Sequence, residues 1–511
     1  MLRVFLVLLV VAGITAGFVA LRAVPSPALE DVLANARQAV LGANPVPDER
    51  PIRLAGPATL LGQQGARGEL SFQNGRFRSE FAGHISQAFG HDGEHTWEQN
   101  PAGNVRRLSE GNANFQRLIH WFITGHWLLP EYDLGITLDE RASTRDDIAI
   151  QVDAGGGVAG VAFIDRRSSL PSRLELRQFG RDQVLEIAWG NSIGERVLPS
   201  RVLVTDGGTR NVEWNISEVE VLEDGLSFAQ PPDATQVEFD PSIEPGLRVI
   251  KGSGGHLWVR PLVNGQDVGW FLFDTGANGT VIDERVAATL GLPDLGAIDS
   301  TGIGGRTEAR VRRVDSIELA GVRVRDVPIV SRDLSRSNLG VEAAGYLGVD
   351  LLAYGIIEYN ERDVRVGFHV PSEYELPEGC AWVTMRVHNG KPAVDLEYEG
   401  HHGLFVIDTG APGPMLVGPQ AVERNQLLAG RETTDSYAWG SGGRVRAKRG
   451  SLDSVMWGGQ RFDGVPATFI TEDKGAGADT QRDGLIGANL LRRFVVVFDI
   501  EGERIAFGQL P

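Results

Sequence analysis

The triplet Asp-Thr-Gly occurs twice, 134 residues apart, at Asp274-Thr275-Gly276 and Asp408-Thr409-Gly410. Each closes an apolar run, Phe271-Leu272-Phe273 in one case and Leu404-Phe405-Val406-Ile407 in the other, and each is followed by alanine, Ala277 or Ala411. Short apolar runs bounded by turn residues read as buried strands, so each carboxylate is expected at a strand end where the chain turns. A single triplet of this kind is an ordinary turn, because Asp and Gly favour turns. Two in matching contexts point to a pair of carboxylates supplied by a duplicated unit.

The duplication extends beyond the triplets. Unit one covers 257–368 and unit two 382–508. Each begins with an apolar strand and an Asn-Gly turn (Asn264-Gly265; Asn389-Gly390) and runs into the triplet strand. Each then gives another apolar strand (Thr280-Val281-Ile282; Met415-Leu416-Val417) and a helical stretch. A glycine-rich turn follows, Thr301-Gly302-Ile303-Gly304-Gly305 in unit one and Trp439-Gly440-Ser441-Gly442-Gly443 in unit two. Each unit finishes with apolar-apolar-Gly and a short helix (Tyr346-Leu347-Gly348; Leu485-Ile486-Gly487) and a last hairpin, 356–368 or 494–507. The interval from triplet Asp to this late Gly is 74 residues in one unit and 79 in the other.

At 511 residues the chain is too long for one ordinary core, and two to four domains are expected. Its 42% apolar and 23% charged residues are those of a globular protein. Sixty-five glycines, many clustered between apolar runs, imply many tight turns and a β-rich chain. A net charge of −18 argues against nucleic acid as a partner, which requires a basic face, and reads as a device for solubility. The single cysteine, Cys380, excludes an intrachain disulfide and a thiolate metal cluster. The adjacent His401-His402 lacks spaced partners and reads as an exposed turn before the second triplet strand, so neither a metal nor a cofactor is expected.

Residues 4–21 form an 18-residue apolar run flanked by Arg3 and Arg22. That is longer than the usual core of a cleaved signal and just long enough to span a bilayer. Two readings follow: a membrane anchor with the body exported to the periplasmic or extracellular side, or a cleaved signal that releases a secreted protein. Ser26-Pro27 ahead of Leu29, Val32, Leu33, Ala36 and Val40 reads as a capped amphipathic helix. From 54 to 221 come short alternating runs such as Arg76-Phe77-Arg78-Ser79-Glu80-Phe81, parted by glycine-rich turns, which is the pattern of an antiparallel sheet. Residues 115–129 form a more helical apolar insert. Pro231-Pro232 and the proline-flanked segment 240–245 read as a linker. The expected parts are a signal or anchor at 1–25, a β-rich accessory domain at 26–238, a linker at 239–250, and two lobes at 251–375 and 376–511.

With these motifs in order, residues 246–511 resemble the pepsin and retropepsin clan of aspartic proteases, as two retropepsin-like lobes in one chain. The accessory region is similar to lipoprotein-carrier half-barrels in its leading helix and meander, and in Phe72-Gln73-Asn74-Gly75-Arg76-Phe77-Arg78, Gly90-His91-Asp92-Gly93-Glu94-His95-Thr96-Trp97 and Leu198-Pro199-Ser200-Arg201-Val202. The resemblance implies a mainly β fold with two lobes preceded by a β-rich α+β domain. It makes Asp274 and Asp408 the catalytic pair of an endopeptidase whose partner is a peptide or protein substrate. Two carboxylates a hydrogen bond apart cannot both ionise cheaply and so share one proton. Thr275 and Thr409 are expected to bond across to the opposite lobe, Gly276 and Gly410 to admit backbone N–H groups, and Gly348 and Gly487 to let a strand pass behind each triplet. The turns Gly302-Ile303-Gly304-Gly305 and Trp439-Gly440-Ser441-Gly442-Gly443 are candidate flaps. Ala277 and Ala411 stand where many pepsin-like enzymes have Ser, whose hydroxyl would stabilise the anion, so a mildly acidic optimum is expected. Two other readings stay open: a peptide-binding module without turnover, and an apolar-ligand carrier working through the accessory domain.

Overall fold

The computed structural model describes residues 27–43, 50–132, 134–178, 181–206, 209–223, 225–234, 236–252, 254–335, 340–378, 380–388, 390–457, 460–479 and 481–509. The apolar run at 4–21, with its anchor and signal readings, lies outside them. No helix among the described residues is long and apolar enough to cross a membrane.

The accessory domain is one 14-stranded antiparallel sheet carrying two helices, α1 (Leu29–Leu41) and α2 (Glu110–Thr124). Val32, Ala36 and Val40 of α1 and Leu118 and Phe122 of α2 join Leu54, Phe72, Phe77, Ile150, Leu174 and Trp214 of the sheet in one core. Burying a side chain as large as Phe72 or Phe77 contributes about 1.5–3 kcal/mol, which is how an alternating sheet and two amphipathic helices hold each other. Helix α1 starts two residues later than its Ser-Pro signal implies, with Ala28 at the N-cap position. Ser26 itself lies outside the described residues. Helix α2 begins earlier than the apolar insert alone indicates and ends at Gly125, whose φ of 83° is the left-handed conformation that stops helices.

The two lobes repeat one topology. In the first, the triplet strand Trp270–Phe273 pairs in parallel with Ala343–Leu347. In the second, His401–Asp408 pairs in parallel with Gly484–Gly487. His401 and His402 therefore stand on the triplet strand itself and not in a turn before it. A separate five-stranded sheet joins the lobes. Its strands Ile356–Asn360 and Arg365–His369 come from the first unit, and Phe494–Asp499, Arg504–Gln509 and Val383–Thr384 from the second. The pairing of Ile357 with Phe498 is the seam.

The segment 239–250, read as a linker, is tied down along most of its length. Val237–Phe239 adds an edge strand against Val322–Arg332 of the first lobe. Asp240 N–H donates to Gly321 O, Leu247 N–H to Val366 O, and Phe368 N–H to Pro245 O. An open sheet edge has unpaired backbone groups, and this segment satisfies them in spite of its prolines. The accessory domain is also docked directly. Gln63 Nε2 donates to Asp294 O at 2.9 Å, Arg313 Nη2 donates to His84 O at 2.9 Å, and Ile85, Leu295 and Val311 form a small apolar cluster between them.

Candidate active site

Each triplet sits where its strand leaves the sheet. Asp274 N–H donates to Leu347 O at 3.1 Å, and Gly276 N–H turns back to Asp274 Oδ1 at 2.9 Å. In the second lobe Gly410 N–H donates to Asp408 Oδ1 at the same 2.9 Å. The triplets face each other closely. A Cβ on Gly276 would fall 2.2 Å from Asp408 Cγ, and one on Gly410 2.5 Å from Asp274 Cγ. Any side chain at either glycine would push the carboxylates apart.

The threonines lock this arrangement. Thr275 N–H donates to Thr409 Oγ1 at 3.0 Å, and Thr409 N–H donates to Thr275 Oγ1 at 3.1 Å. Each hydroxyl then donates to the other strand, Thr275 Oγ1 to Ile407 O and Thr409 Oγ1 to Phe273 O, both at 2.7 Å. Both side chains are wholly buried, so every one of these groups depends on its partner across the lobes. Behind the triplets, a Cβ on Gly348 would lie 2.5 Å from Gly279 C, and one on Gly487 2.1 Å from Gly413 O.

Asp274 and Asp408 face each other half-buried, near enough for each to shift the other's proton affinity. Burial raises the Asp274 carboxyl, and the charge of Asp408 beside it raises it further. Burial also raises Asp408, against the pull of Lys391, Arg482 and the Gly410 N–H. Both carboxyls are thus held above the ordinary range, and the pair shares one proton. Two of the surrounding groups were not legible in the repeat. Lys391, whose charge acts on both aspartates, lies two residues before Ala393, which faces Val406 of the second triplet strand, and His256 holds the same place relative to Trp258 and Leu272 in the first lobe. His256, 1% exposed, lies close enough to Asp408 to feel its charge, and burial holds its imidazole below the usual range.

The two glycine-rich turns are the tips of long hairpins. One is Asp294–Gly302 with Gly305–Leu319, the other Thr434–Gly440 with Gly443–Trp457. The tips meet: Gly304 N–H donates to Ser441 O at 2.9 Å. The contact leaves no room for side chains. A Cβ on Gly304 would stand 2.2 Å from Gly443 N, and one on Gly442, at φ +82°, 2.3 Å from Gly305 O. Ile303 reaches across into the second lobe, packing against clusters that include Ala438, Val445, Val406 and Leu485. The short turn Gly475–Ala478 supports the first tip, since a Cβ on Gly475 would lie 2.4 Å from Gly302 O. Trp439 does not close over anything. It is 70% exposed, with Arg444 stacked across it and Tyr437.

Elsewhere, Cys380 is half-buried beside Gly508, and burial raises its thiol. A pocket of about 220 Å³ in the accessory domain is lined by charged groups such as Glu94, Arg107, Glu110 and Arg117 together with Leu108 and Ala113.

The sequence matches the aspartyl protease family model over residues 259–351 and 394–490, one stretch in each lobe. No curated protein matches the chain. Among solved structures, basic 7S globulin from soybean is similar at 14% identity, covering 54% of this chain and 95% of that one, with a TM-score of 0.32, too low to bear on function. No comparison supports the resemblance of the accessory domain to lipoprotein carriers. The two matched stretches each contain one triplet and its late glycine, and the fold they define is a two-lobed, aspartyl-protease-like one.

Proposed function

We propose that the two lobes form an aspartic endopeptidase in which Asp274 and Asp408 act together on a peptide bond. The observation that carries this reading is the half-buried carboxylate pair held face to face by reciprocal threonine bonds across the lobes. The ionised member of the pair takes a proton from a water lying between the carboxyls, and that water attacks the carbonyl carbon. The protonated member gives its proton to the carbonyl oxygen. As the tetrahedral intermediate collapses, the proton gathered from the water passes to the departing nitrogen and the other carboxyl recovers its own. The paired flap tips exclude bulk water and keep the site's electrostatic interactions strong. The chain is further proposed to be exported, with residues 4–21 as its anchor or its cleaved signal.

The full-length protein, incubated with a mixed peptide library between pH 3 and 8, is expected to cut best in the mildly acidic range. Burial and mutual repulsion raise the pair, so its shared proton survives to higher pH than an ordinary carboxyl's would. Asp274→Asn and Asp408→Asn should each lower kcat by at least about a thousandfold, since the paired groups act as a unit. Equal cleavage by all three proteins would sink the pair as catalysts. An optimum near pH 2 would sink the pH reading. Binding of peptides without cleavage would favour the module without turnover.

A further inference from the structure

A cavity of about 580 Å³ lies where the accessory domain meets both lobes. Its first wall is Asn278 and Gly279, the residues just past the turn of the first triplet. Its second is Val387 and Gly390 of the second lobe, and Lys391, next in the chain, bears on both aspartates. The cavity therefore lies beside the loop that follows Asp274 and beside Gly390. Its third wall belongs to the accessory domain and includes Ala102, Arg106 and Asn112.

We propose that this cavity is a substrate subsite, taking an extended peptide segment that runs from the scissile bond past Asn278 and Gly390 onto the accessory domain. The inference rests on the endopeptidase reading and adds to it that the substrate is a long chain recognised on one side of the cut. The volume is within the range of pockets that bury ligands. The lining combines an apolar floor (Val330, Val349) with polar groups above it, the mixture that backbone and side chains of a peptide require. The third wall is fixed in place. Arg106 donates from Nε to Glu98 Oε1 at 2.7 Å and holds the same oxygen through Nη2 at 2.6 Å, and its guanidinium lies against the Gly390 turn. A wall already positioned costs little ordering when a segment binds.

The test uses full-length protein and a peptide series built on the shortest peptide it cleaves, extended stepwise on one side or the other of the cut. Extension on one side should raise kcat/KM about tenfold, because remote contacts contribute to transition-state binding. Ala102→Trp and Asn112→Trp, one on a turn and one on a helix, fill the cavity from two different structural settings. Each should abolish that gain while leaving the shortest peptide within about twofold of wild type. Anisotropy with labelled peptides and the Asp274→Asn protein reads the same subsite without turnover, with the long peptide binding about tenfold tighter and losing that advantage with either Trp. Cleavage of the shortest peptide with no gain on either side, or a gain that survives both Trp substitutions, overturns the subsite. If no peptide is cleaved the endopeptidase reading fails on its own, and anisotropy with arbitrary peptides of graded length still decides the cavity.

Discussion

The first and second lobes present the same triplet, yet the loops behind the two aspartates are held by different means. In the first, the half-buried Asp350 accepts from Thr280 Oγ1 at 2.7 Å, Thr280 N–H at 2.9 Å and Leu351 N–H at 2.9 Å, while Thr280 Oγ1 accepts from Gly348 N–H at 3.1 Å. Burial pushes the Asp350 carboxyl up to about 6 against the pull of those bonds. In the second, Pro414 stands where Thr280 would be, Gly487 N–H donates to Pro414 O at 3.0 Å, and Asn489 Nδ2 reaches Pro412 O at 2.7 Å. The flaps differ too: only the second carries an exposed stack of Tyr437, Arg444 and Trp439. Symmetry is kept where two carboxylates must meet, and it lapses one layer away.

Five substitutions probe that division. The largest effect belongs to the symmetric layer. Thr275→Val and Thr409→Val each strand a buried N–H and a buried C=O, at about 1–3 kcal/mol per unsatisfied group. Both should lower the melting temperature and cut cleavage at least about tenfold, and the two should match within about twofold. A wild-type-like result for either would show that the lock has only one side.

The asymmetric layer should respond unequally. Asp350→Ala leaves three donors without their acceptor in a buried site and should cost about 1–3 kcal/mol in urea unfolding. Asn489→Ala removes one bond at an accessible position, where water can replace it, and should cost under about 1 kcal/mol. Equal losses would show that the two loops are supported alike after all.

The smallest effect is electrostatic. Lys391 draws both aspartates downward, and its counterpart by strand register in the first lobe is the buried His256, whose imidazole burial holds below the usual range. Removing a neighbouring cation disfavours the carboxylate, so Lys391→Gln should let the pair hold its proton to higher pH. The alkaline limb of the kcat/KM profile then moves upward by a fraction of a pH unit. A downward shift, or none, would separate Lys391 from the pair.

What the sequence disclosed and what it concealed divide along chain distance. Asp274, Gly276, Gly348 and their counterparts are readable because each lies in a short run with its own turn and strand signals, and because the run is repeated. The threonine exchange could be expected only through a family resemblance, since nothing local in Thr275 announces a bond to Ile407 O, 132 residues away. The flap turns were visible as glycine clusters, but their contact was not. Ile303 reads as an ordinary apolar residue until the second lobe supplies its surroundings. Segment 239–250 has the composition of a linker, and only the free edge of the strand Val322–Arg332 shows why 237–239 becomes a strand. The junction cavity draws on stretches from 98 to 503 and leaves no mark in any one of them.

The five-stranded sheet that interleaves Ile356–Asn360 with Phe494–Asp499 also sets a rule for mass action. A site assembled from two separate chains empties on dilution, because its halves dissociate. Here the halves are covalently continuous and share a hydrogen-bonded seam, so the site's occupancy is independent of how much protein is present. Specific activity should stay flat down to the lowest concentration an assay can follow.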